Sequence, residues 1–123
     1  MKKILMVLSL LLVSSTPNNI CDSRPYEAKI IRWIDGDTAI ADIDLGWDVT
    51  LKEQKLRLNR VDTPERGEPK YKEATNIVKA KCKGYVEVYN CGKGSYGRWL
   101  VEMNCNGESI NNYLLRRGWK YER

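Results

Sequence analysis

The chain has 123 residues, 30% of them charged, a formal net charge of +5 and no histidine. That length holds one small domain. The missing histidine excludes Ser-His-Asp and Cys-His catalysis, histidine-metal nucleases and most zinc enzymes, so any acid–base chemistry must rest on carboxylates, with arginine or lysine for positive charge.

Lys2 and Lys3 precede an apolar run, Ile4 to Val13, and then Ser14, Ser15 and Thr16. This is the order of a secretory signal peptide, assigned to residues 1–15. The run is shorter than the roughly 20 apolar residues that span a bilayer; a retained N-terminal anchor is the alternative. Asn19 and Ile20 argue against lipid attachment at Cys21. Cleavage after Ser15 would leave about 108 residues and a net charge of about +3, since two lysines depart. A small, mildly basic exported domain suits a polyanionic partner and gains from covalent staples. Cys21, Cys82, Cys91 and Cys105 are an even set, the pattern of two disulfides with three possible connectivities. No CxxC pair is present, which argues against a zinc ribbon.

Residues 16–25, with Pro17 and Pro25, read as a linker, and residues 26–123 as the domain. Tyr26 to Ile34 is strand-like. Asp35-Gly36-Asp37 favours a tight hairpin turn. Thr38 to Ile43 predicts a second strand, Leu45 to Asp48 a loop or bulge, and Val49 to Val61 a third strand. Leu56 and Leu58 alternate with Arg57 and Asn59 as on a half-buried strand. Pro64 cannot join a ladder and should stop this strand near Val61. From Lys70 to about Lys83 the apolar residues Ala74, Ile77 and Val78 recur at helical spacing, and Gly84 ends the helix. Tyr85 to Val88 predicts a fourth strand, Cys91 to Ser95 a turn-rich loop, and Trp99 to Met103 a fifth strand. Asn106-Gly107 is a turn, and Ser109 to Arg117 a second helix ended by Gly118. Three strands, a helix, two strands and a helix match a five-stranded Greek-key barrel of the OB type.

Within nine residues, Arg57 to Glu65, stand a fixed cation and the carboxylates Asp62 and Glu65. In a meander, the start of strand two and the end of strand three share one end of the sheet, which brings Asp37 towards Asp62. Two converging carboxylates without histidine or thiolate suit a hard cation such as Ca²⁺. Asp35 and Asp37 could also do no more than form a turn. Arg98, at the start of strand five, offers a second planar fork for phosphate oxygens.

These segments resemble the thermonuclease, or staphylococcal nuclease-like, family. The matching stretches are Ile34-Asp35-Gly36-Asp37-Thr38, Arg57 through Asp62-Thr63-Pro64 to Glu65, Tyr96-Gly97-Arg98, and Ile110 to Gly118, in family order. The resemblance implies a Ca²⁺-dependent nuclease of DNA and RNA, acting on single-stranded or frayed duplex substrate; with the signal peptide, the protein is expected to be secreted or periplasmic, and monomeric. It implies calcium ligation by the Asp37 and Asp62 side chains and the Thr63 carbonyl, and Glu65 acting on the attacking water. Arg57 and Arg98 would hold the phosphate, and Tyr96 would contact a terminal phosphate or the nucleotide beside the cut. Relative to well-known members, the segment after Glu65 is shorter, no third C-terminal helix is expected, and only Trp119 and Tyr121 stand near the family's late tyrosines. A non-catalytic OB-fold module binding nucleic acid is the alternative. The cysteines have no counterpart in the family motifs. A hairpin of strands four and five would set Cys82 opposite Cys105 and leave Cys21 for Cys91. Trp33, Trp47, Trp99 and Tyr85 are expected to pack in the core and loops.

Overall fold

The computed structural model describes residues 20–120. The expected signal peptide, most of the linker's first half and the last three residues lie outside the described residues. The order is β1 (Tyr26–Asp35), β2 (Thr38–Gly46), β3 (Val49–Leu58), α1 (Tyr71–Lys81), β4 (Tyr85–Lys93), β5 (Trp99–Cys105), β6 (Glu108–Ser109) and α2 (Ile110–Arg116). The sheet runs β3-β2-β1-β4-β5-β6, and a parallel pairing of β3 with β5 closes the first five strands into the expected barrel. Two α-helices are present among the described residues.

Alternating apolar residues fill the barrel. Ala39, Ala41 and Ile43 of β2, Leu56 and Leu58 of β3, and Val101, Met103 and Cys105 of β5 are buried together. Val78 of α1 and Ile110 and Leu114 of α2 close onto the same cluster. Gly36 sits in the β1–β2 turn where an added Cβ would lie 2.7 Å from Thr63 Oγ1 and 2.8 Å from the Ala74 Cβ. No other residue lets the loop after β3 and the helix α1 approach this hairpin so closely.

Several boundaries differ from expectation. β3 ends at Leu58, three residues before Val61. Pro64 is not the cause: Arg60 takes a left-handed backbone, φ 70°, and the Asn59 N–H donates to the Val101 carbonyl, turning the chain out of the β2 ladder. β2 continues through Leu45 and Gly46, so the turn is only Trp47-Asp48, both at positive φ. Such a turn matches the strand twist, which is why two residues suffice. It leaves Trp47 98% exposed, and Tyr85 is exposed as well, so neither packs as expected. β4 extends through Cys91 to Lys93, and the irregular segment is the short 3₁₀ turn Ser95–Gly97. The two-residue β6, unforeseen, pairs with β5 across the Asn106-Gly107 turn.

Disulfides join Cys82 to Cys105 and Cys21 to Cys91. The first ties the end of α1 to the end of β5. It closes a separation of 23 residues, so in the chain-entropy picture it contributes roughly 3 kcal/mol. A Cys82→Ala/Cys105→Ala double variant should lose about that much in urea denaturation with an unchanged barrel spectrum. A loss below about 1 kcal/mol would show that packing alone holds α1.

Candidate active site

The barrel ladder sets the site before any side chain is considered. Thr38, at the start of β2, pairs with Arg57 on one side, and Leu100 of β5 pairs with Arg57 on the other. Asp37 and Arg98 therefore flank Arg57 at one end of the barrel.

Asp37 is 5% exposed. Its Oδ1 accepts from the Thr38 hydroxyl at 2.9 Å, and its Oδ2 accepts from the Thr63 N–H at 2.9 Å. One carboxylate thus pins the loop after β3 to the first hairpin. The Arg57 guanidinium lies between two acids, with Nη1 3.3 Å from Asp37 Oδ2 and Nη2 3.4 Å from Asp62 Oδ1. Nη1 also donates to the carbonyls of Val61 at 2.6 Å and Leu58 at 3.2 Å. A planar fork meets these directions at once, whereas an ammonium on a flexible stem would have to choose among them.

Acidic groups outnumber this cation. The Asp35 carboxyl is pushed up to about 6, first by burial, then by its hydrogen bond to Asp37 and by the Asp37 charge. Asp62 is also raised, chiefly by burial; Arg57 pulls it down while Asp37 and Glu68 push it up. Thr63 Oγ1 is buried without a hydrogen-bond partner among the described residues. Hard oxygen donors that repel one another, beside an orphaned hydroxyl, fit a hard divalent cation held by Asp37, Asp62 and the Thr63 carbonyl. Another acid-bearing cluster, Cys21, Cys91 and Glu102, does not fit, because its two sulfurs are already bonded to each other.

Arg57 and Arg98 line one open cleft of about 640 Å³, together with Arg60, Lys120, Asn59, Ser95 and Leu100. Arg98 Nε donates to the Ser95 carbonyl at 3.0 Å and the guanidinium lies 5.4 Å from the centre of the Tyr96 ring. Tyr96 is 88% exposed and sits at φ 60° in the 3₁₀ turn.

The structure therefore gathers Asp37, Asp62, Thr63 and Arg57, and places Arg98 on the same cleft as Arg57. It does not bring Glu65 into contact with them, and Tyr96 lies against Arg98 but outside the lining of the cleft. Glu65 is exposed, and its backbone N–H donates to the Glu68 carboxylate at 2.7 Å.

Four supporting residues escaped the sequence reading. Asp35 was readable only as a turn former, although a second carboxylate two residues from Asp37 was the available signal. Asn111, fully buried, donates to the carbonyls of Asn59 and Val101 at 2.9 and 3.0 Å and accepts from the Met103 N–H at 2.9 Å. It locks α2 to the corner that follows β3. Arg60 and Glu102 form a two-pronged pair at 2.8 and 2.7 Å across the same corner. No sequence spacing announces either link. Asn111→Ala would strand buried backbone groups and should cost about 3 kcal/mol, or roughly 15 °C in Tm. A thermal midpoint within 3 °C of the parent would mean that water replaces the amide.

Comparison with known proteins is consistent with this geometry. The sequence model of the family described as staphylococcal nuclease homologue matches residues 55–121. The Thermonuclease of Staphylococcus hyicus is 36% identical over 99 residues, covering 73% of this chain and 55% of that protein. The Probable staphylococcal-like nuclease CAN1 of Oryza sativa subsp. japonica is 30% identical over 79 residues, covering 62% of this chain and 24% of the relative. The Staphylococcal-like nuclease CAN1 of Arabidopsis thaliana is 31% identical over 80 residues, 60% of this chain and 24% of the relative. The chain thus spans between about a quarter and just over half of the curated relatives it matches. On the family match and the closed barrel together, this chain belongs to the staphylococcal nuclease family.

Proposed function

We propose that this chain is a Ca²⁺-dependent nuclease that hydrolyses phosphodiester bonds of DNA and RNA, cutting P–O5′ and leaving 3′-phosphate ends. The observation that carries the reading is the Arg57 guanidinium held between Asp37 and Asp62 at the edge of a cleft lined by three further cations.

A phosphodiester anion repels a nucleophile, so positive charge must stand in place before reaction. Asp37, Asp62 and the Thr63 carbonyl would hold calcium, which when bound would supply part of that charge. Arg57 and Arg98 supply the rest, as planar forks facing the non-bridging oxygens, and they stabilise the charge as phosphorus becomes five-coordinate. Glu65 orients water and takes its proton as the water oxygen attacks phosphorus. The P–O5′ bond breaks, the O5′ oxygen takes a proton from solvent water in the open cleft and leaves as the hydroxyl, and the phosphate stays on the 3′ side. Arg98 acts electrostatically, since a guanidinium gives up its proton too reluctantly for a general acid. Tyr96 rests against the nucleotide beside the cut. Exposure of Glu65 leaves room for water and substrate to reach it.

The two disulfides support an exported protein, secreted or periplasmic, with residues 1–15 as its signal and the mature chain acting as a monomer. No helix among the described residues is long and apolar enough to cross a membrane.

Purified protein incubated with single-stranded and duplex DNA, in Ca²⁺ and in EDTA, followed by end-group analysis, tests the reading. Calcium-dependent fragments with 3′-phosphate ends are expected. Intact DNA after incubation with folded, calcium-bound protein would overturn it and leave an OB-fold module that binds nucleic acid without cutting it.

A further inference from the structure

The cleft beside Arg57 is lined by four cations and, among the described residues, by no aromatic ring. Single-stranded nucleic acid is usually held in two ways: backbone phosphates by cations, and bases by stacking on aromatic side chains. Among the described residues, this cleft's lining offers only the first. Tyr96, flanked by the cleft residues Ser95 and Arg98, is not itself part of the lining. Trp119 packs partly buried against the barrel core.

The four cations are not equivalent. Arg57 is engaged by Asp37 and Asp62, and Arg60 by both oxygens of Glu102. Neither Arg98 nor Lys120 faces a carboxylate within ion-pair distance among the described residues. Lys120 is also held in place. Its backbone pairs with Val61, and the Asp62 N–H donates to the Trp119 carbonyl at 3.1 Å. The segment carrying Lys120 is thereby zipped to the residues that present Asp62. A lysine on a free tail would lose this register; here the backbone fixes where its side chain starts, beside the residues that present Asp62.

We infer that Lys120 binds a backbone phosphate of the substrate next to the one being cut, so that the cleft grips the strand through its phosphates. The inference rests on the nuclease reading for the identity of the ligand. It concerns a residue that acts on affinity, outside the chemistry. Its physical signature is salt dependence: each phosphate contact to a single strand releases counterions and adds about 0.7 to the slope of log K against log salt.

The experiment is fluorescence anisotropy of a labelled single-stranded DNA 12-mer bound to the full chain, titrated across salt in EDTA. Parent protein is compared with Lys120→Gln, Lys120→Arg and Lys52→Gln. Lys52 is an exposed lysine of β3 paired with Asp42, away from the cleft. Lys120→Gln should weaken binding about 3- to 10-fold at low salt and lower the slope by about 0.7. Lys120→Arg should restore both, and Lys52→Gln should match the parent. In calcium, the same Lys120→Gln protein should show a raised KM on the oligonucleotide. An unchanged slope in Lys120→Gln, or an equal fall in Lys52→Gln, would overturn the inference. Because the slopes are read in EDTA, they decide the role of Lys120 even if the chain proves unable to cut. Cleavage with an unchanged slope would leave the nuclease reading standing and remove only this contact.

Discussion

Glu65→Gln should slow phosphodiester cleavage by about 10²- to 10⁴-fold, the range for losing a positioned general base. The exposure of Glu65 makes the test clean. Its side chain is exposed, and the local turn uses only the backbone of Glu65: its N–H donates to the Glu68 carboxylate at 2.7 Å and its carbonyl accepts from the Glu68 N–H at 2.9 Å. Surface substitutions of this kind change stability by less than about 0.5 kcal/mol. Thermal unfolding should therefore be unchanged, and calcium should still bind, because Asp37, Asp62 and the Thr63 carbonyl are untouched. Glu68→Gln is the matched control, since glutamine keeps an acceptor for the Glu65 N–H. Single-turnover rates on a defined oligonucleotide would decide between them. Near-parent turnover in Glu65→Gln removes that residue from the mechanism. A larger loss in Glu68→Gln than in Glu65→Gln would transfer the water-activating role along the turn.

Arg57→Lys should lower the rate by about 10²- to 10³-fold, comparable to removing one preorganised donor from a charged transition state. Charge is conserved in this variant, so the loss measures geometry. The guanidinium serves Asp37, Asp62 and the Val61 and Leu58 carbonyls together. An ammonium meeting one of the acids would leave the Val61 carbonyl short of its donor, at a cost of about 1–3 kcal/mol in stability. Calcium affinity and Tm should both fall. Arg98→Lys provides the contrast, since Arg98 is half-buried and its side chain donates to the Ser95 carbonyl in the neighbouring turn. That variant should lose rate with little change in Tm. Parent-like cleavage by Arg57→Lys at saturating calcium would show that charge without the fork suffices.

Much of this protein was readable before any coordinates. Strand alternation around Leu56 and Leu58, the Asp35-Gly36-Asp37 and Asn106-Gly107 turns, and the helical spacing of Ala74 and Val78 are local signals, carried by backbone preference and side-chain period. They specified the element order and hence the barrel. Motif order carried the family, and the expected pairing of Cys82 with Cys105 followed from one hairpin. Boundaries were less legible. The end of β3 depends on Asn59 bonding to β5 and on the Arg60 backbone, both answers to distant chain and not to Pro64.

Tertiary structure alone decided which charges meet. Sequence supplied Asp37, Asp62, Glu65, Arg57 and Arg98 as candidates and left Asp35 as a turn former. Closure of β3 against β5 placed Arg57 between the Asp37 hairpin and the Arg98 strand, while the turn after Pro64 left Glu65 in solvent. Likewise Asn111, one of two adjacent asparagines on α2, became a buried pin on the backbone of the corner after β3, while Asn112 stayed exposed and meets that corner through the Arg60 side chain. Lys120 joined the cleft through a backbone pairing with Val61, a partner 59 positions away. Local preferences act over a few residues and set the kind of element. Electrostatic neighbours are set by how the closed barrel brings remote segments to one end, which no short stretch of sequence encodes.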